Sequence, residues 1–169
     1  MPYKRKITDR IFQFAGICLL ALLWVFTILT INRSGDKVPS HFQLDGTIDG
    51  YAGKWILWII PIIGTGMYFV MMVLIRILPR LLPYSMAFSE IKSEKRRLAV
   101  SNILKVFQIL FIGQFTCIAL SSFLIAINRI QKVPAFIFPS FLIGALILII
   151  LLLIEYLRSN DVKTDKIGV

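Results

Sequence analysis

Residues 11–31 read IFQFAGICLLALLWVFTILTI, an unbroken run without a Lys, Arg, Asp or Glu. A helix rises about 1.5 Å per residue, so this run is roughly 30 Å long, the thickness of a bilayer's hydrocarbon core. Three further stretches share the property: 55–75 (WILWIIPIIGTGMYFVMMVLI), 106–127 and 133–154. A spanning helix satisfies its own backbone N–H and C=O groups where no water can. The expected fold is therefore an all-α integral membrane protein, a single membrane domain over 1–169 with four transmembrane helices. A short hairpin-like loop is expected between helices 1 and 2.

The composition agrees. Of 169 residues, 57% are hydrophobic and 17% charged, with mean hydropathy +0.80; a soluble domain carries about 25% charged residues. A disordered chain is excluded. The net charge of +10 does not indicate nucleic acid, because a basic groove needs a soluble scaffold to display it. The first run is longer than a signal peptide's apolar core and no Ala-x-Ala site follows it, so it reads as a retained anchor.

Basic residues orient membrane chains because Lys and Arg stay preferentially in the cytoplasm. Fourteen of the nineteen fall on the N-terminal segment 1–10, loop 76–105 and the tail 155–169; five fall on loops 32–54 and 128–134. Both termini are expected in the cytoplasm. Within loop 76–105, Lys92, Lys95, Arg96 and Arg97 cluster. They are candidate contacts for anionic lipid headgroups, worth about 1 kcal/mol each near the surface, although ordinary positive-inside anchoring is the preferred reading. Pro79 and Pro83 are expected to break the chain before a helix that runs from residue 89 into the third span.

The spans offer little chemistry. Pumps and ion-coupled transporters place ionisable groups inside the membrane, and none lies at a span centre here. Gln13, Gln108, Gln114, Thr116, Ser121 and Ser122 read as interhelical hydrogen-bonding groups, with Gln114 the deepest. Pro61, Gly64 and Gly66 suggest a bent, tightly packed second helix. Cys18 and Cys117 read as small packing residues.

Loop 32–54 is the only long outer segment, and it holds the sole His of the chain and three of its nine acids. Asp45-Gly46 is a two-residue hairpin signal with positive φ at both turn positions. Closure there would pair Leu44 with Thr47 and Phe42 with Asp49. A lone hairpin is marginal in water, so Phe42, Leu44 and Ile48 are expected to lean on helix ends or on a partner. Zinc usually needs three protein ligands; His41, Asp45 and Asp49 would supply them only if the hairpin curled sharply, so no metal and no cofactor are expected. The preferred alternative has His41 hydrogen-bonding within the loop and capping a helix end, Asp49 satisfying turn amides, and Lys54 in reach of Asp49.

Pro39-x-His41-Phe42, then Gly46, Asp49 and Lys54 leading into an apolar helix, resembles the family catalogued as domain of unknown function 1648. The resemblance covers about residues 20–75. It implies a bacterial inner-membrane protein with a patterned outer hairpin, and it links the chain to the SdpI-type toxin-immunity proteins, which are longer. The function expected is non-enzymatic: recognition of a secreted peptide toxin or an envelope protein by the outer loop, in a chain whose other partner is the lipid bilayer. Two alternatives follow. One is a small transporter or channel subunit, which would need a homo-oligomer to enclose a path lined by Gln108, Gln114, Thr116 and Ser121. The other, ranked last, is a metal-dependent hydrolase centred on His41.

Overall fold

A computed structural model describes residues 7–81 and 90–164. Helix α1 spans Ile7–Arg33, strands β1 and β2 span Lys37–Phe42 and Ile48–Gly53, a 3-10 helix spans Lys54–Trp58, and helices α2, α3 and α4 span Ile59–Leu81, Glu90–Ala126 and Ile137–Thr164. The four long helices are each long and apolar enough to cross a membrane.

Helix α3 is the centre of the bundle and touches all three other helices. Near the hairpin end Leu23, Ile112 and Ala119 form one buried cluster. Near the other end Met71, Val100 and Leu104 form a second, with Leu148 and Leu152 of α4 packed against it. Lipid tails are as apolar as leucine, so close approach and hydrogen bonds must supply what the hydrophobic effect supplies in water. At Gly64 an added Cβ would lie 2.8 Å from the Leu23 side chain, which is how α2 comes close to α1. Gln108 Nε2 donates to the Tyr68 carbonyl at 3.1 Å, the Thr116 hydroxyl lies 3.1 Å from the Leu19 carbonyl, and Gln114 Nε2 reaches the Ile137 carbonyl and, at 2.9 Å, the Ser140 hydroxyl. These side chains join α3 to α2, α1 and α4 respectively, as their positions in apolar runs suggested. Ser121 and Ser122 instead donate to carbonyls one turn back in α3, at 2.8 and 3.0 Å. Thr27 and Thr30 of α1 do the same at 2.9 and 2.7 Å, which lets both be buried.

The sequence reading needs correction at three places. The helix expected to begin at 133 begins at Ile137. Val133 belongs to the preceding connection and is completely buried there, because its amide donates to the Gly46 carbonyl at 3.0 Å instead of entering a helix. Helix α2 continues through Pro79; near a helix end a proline removes one hydrogen bond without stopping the chain. Pro83 lies outside the described residues. Pro61 is the third residue of α2, in the first turn, where a missing N–H costs nothing. The expected continuation of the third span toward its N-terminal side is present, as α3 runs unbroken from Glu90.

Candidate functional site

The hairpin begins with its turn. The Gly46 amide donates to the Gln43 carbonyl and the Gln43 amide to the Thr47 carbonyl, both at 2.9 Å. Gly46 has φ +83°, while Asp45 does not have a positive φ. This is a three-residue loop, a tight turn centred on Leu44 and Asp45 followed by a left-handed glycine, and it replaces the expected two-residue turn. The register moves with it. Phe42 pairs with Ile48 instead of Asp49, His41 with Gly50, Pro39 with Tyr51 and Val38 with Ala52. Ser40 on β1 and Asp49 on β2 are extra residues that compensate each other.

The three-residue turn sets Asp49 beside His41, and the irregularities leave the two side chains in contact although His41 pairs with Gly50. Nδ1 of His41 lies 2.6 Å from Oδ1 of Asp49, with side chains 74% and 32% exposed. Gly50 leaves room for the arrangement, since a Cβ there would lie 3.1 Å from that of His41. His41 therefore bonds within the loop, as expected, but to a carboxylate and not at a helix end. The acid that satisfies turn groups is Asp45, not Asp49. Its Oδ1 accepts from the Thr47 amide at 3.0 Å and the Thr47 hydroxyl at 2.7 Å. Among the described residues no ion pair joins Lys54 to Asp49; Lys54 opens the 3-10 helix.

Docking of the hairpin also differs from expectation. Leu44 is 74% exposed, and Phe42 and Ile48 are half-buried. The anchoring residues are Val38, buried where β1 meets the 3-10 helix, and Gly46, held against Val133. Left on the surface are the His41–Asp49 pair, Leu44 at the tip and Tyr51, which is 64% exposed opposite Pro39. An anchored hairpin thus leaves the hydrogen-bonded His41–Asp49 pair, Leu44 and Tyr51 exposed together.

Among the described residues no group of three His, Cys, Asp or Glu side chains is placed to hold a metal ion; Asp45 is turned to Thr47 and Asp49 to His41. The Asp45 carboxyl is held below its ordinary 3.8 first by the Thr47 hydroxyl and amide, with Lys132 adding a smaller attraction. A carboxyl with a lowered folded-state pKa contributes stability that is present above the unfolded value and lost as pH falls through the folded one. The turn is therefore expected to loosen below about pH 4, read as movement of the Thr47 amide resonance, and D45N should abolish that acid transition.

Of the basic cluster, Lys92, Lys95 and Arg96 lie in the first turns of α3 with side chains outside the described residues. Arg97 lines a cavity between helices. An ion pair went unforeseen: Lys105 Nζ lies 2.6 Å from Asp9 Oδ1, with side chains only 11% and 14% exposed. The signal for it was an acid and a base just outside the first and third apolar runs, on the same expected side of the membrane.

Residues 18–65 match the family model described as "Domain of unknown function (DUF1648)". The match covers the second half of α1, the whole hairpin and the start of α2, and ends ten residues short of the expected boundary. No curated protein and no solved structure gives a significant match.

Proposed function

We propose that the chain is a non-enzymatic, multi-pass protein of a bacterial inner membrane, with both termini cytoplasmic, that recognises a secreted peptide toxin or an envelope protein through the hairpin of loop 32–54. Support comes chiefly from the surface just described: His41, Asp49, Leu44 and Tyr51 are exposed on a hairpin whose opposite side is tied down by Val38 and Gly46. Recognition hot spots are typically aromatic or charged anchors on a pre-organised frame. The family match encloses this hairpin, and the likeness of its Pro39-His41-Phe42-Gly46-Asp49-Lys54 pattern to the SdpI-type proteins supports immunity or sensing as the purpose. The transporter alternative is less well supported, because Gln108, Gln114, Thr116 and Ser121 are engaged in bonds to other helices or to their own backbone.

The test places a photocrosslinker at position 44 or 51 and challenges expressing cells with peptides secreted by their own species. H41A and D49A are expected to lower protection and crosslinking about tenfold or more, the size of a hot-spot loss, while membrane insertion is unchanged. Full protection in both variants would remove the recognition role.

A further inference from the structure

At the end opposite the hairpin, α1 and α2 stand apart against α3 and leave a cavity of about 860 Å³, within the range of about 300–1,000 Å³ usual for ligand pockets. Near the hairpin the two helices are tied by a Trp24 Nε1–H donating to the Thr65 hydroxyl at 3.1 Å, and Trp24 also lies against Trp58 of the 3-10 helix. Tyr68 closes the cavity's deep end, lying so near Gly16 that an added Cβ would meet its ring at 2.9 Å.

The lining is divided by chemistry. Toward the helix ends it carries Arg76, Arg97 and the Lys105–Asp9 pair; deeper it is mostly apolar, with Ile17 and Phe69 among its walls beside Tyr68 and Gln108. Among the described lining residues, three basic side chains stand with the single acid Asp9. Gln13 lines the same space one helical turn inside Asp9, in the apolar run of α1. It makes no hydrogen bond to any described residue, although an amide without a partner in hydrocarbon is costly. A cationic mouth, an amide just below it and a mostly apolar interior match the phosphate, glycerol-ester and acyl regions of a lipid in order. Basic pockets between membrane helices are a recurrent means of holding anionic lipid headgroups.

We propose that this cleft is a binding site for one anionic phospholipid of the leaflet at the basic end, with its phosphate at Arg76, Arg97 and Lys105, its ester region at Gln13 and an acyl chain along Ile17 and Phe69. The site is separate from the hairpin and independent of what the hairpin recognises.

Native mass spectrometry of the detergent-solubilised protein, titrated with phosphatidylglycerol or phosphatidylcholine, tests the assignment. The wild type is expected to retain phosphatidylglycerol in preference. R76Q should weaken that retention about fivefold, and I17W, which narrows the cleft from its lipid-exposed wall without touching charge, should weaken both lipids. Circular dichroism melts confirm that each variant is folded. Equal retention of the two lipids by the wild type would overturn the proposal. So would competition by inorganic phosphate alone, which would mark a free-phosphate site. A loss seen in K92Q and K95Q but not in R76Q or I17W would also overturn it, by showing general surface anchoring.

Discussion

Replacing Gly46 with alanine is expected to detach the hairpin from the bundle. At φ +83° an L-residue with a Cβ pays about 1–2 kcal/mol for the left-handed conformation. A Cβ there would also lie 1.8 Å from the Val133 carbonyl oxygen, so the two segments must separate. The Val133 amide then loses the Gly46 carbonyl at a fully buried position, and an unsatisfied buried donor costs about 1–3 kcal/mol. The local loss is thus about 3 kcal/mol, to be read as a more than hundredfold drop in hydrogen-exchange protection at the Val133 and Gln43 amides. G35A is the control, since nothing lies within 4 Å of a Cβ at Gly35. Retained protection in G46A would show that this docking does not hold the hairpin.

Removing one member of the Asp9–Lys105 pair should be nearly as costly. Both side chains are more than four-fifths buried, so K105M leaves a carboxylate facing the cleft without its cation, at about 3 kcal/mol. Replacing both groups, as D9L with K105M, should recover most of the loss, because a buried pair contributes little net stability compared with apolar residues that fill its space. Thermal melts of the two single variants and the double variant form a cycle whose coupling measures the interaction. Single-variant costs below about 1 kcal/mol would mean that water reaches the pair as it does on a surface.

These two sites also mark the reach of sequence reasoning. The four spans were readable because each rests on a local sum: about 20 apolar residues in succession are enough to favour lipid, whatever the rest of the chain does. The hairpin was readable as a hairpin, from Asp45-Gly46 between extended residues, but its register was not. A two-residue and a three-residue turn share that signal, and choosing between them moves Asp49 from opposite Phe42 to beside His41. Gln114 was recognised as a helix-joining group from its depth alone; that it meets the start of α4 came from the fold.

The sequence by itself determined that the chain is a set of four membrane-spanning helices with one patterned loop, because hydropathy acts residue by residue along the chain. The tertiary structure decided where that loop sits and what faces the cleft. Gly46 is held by Val133 and Asp9 by Lys105, partners far apart in sequence, and contacts closed over such distances leave no periodic trace in the residues that make them.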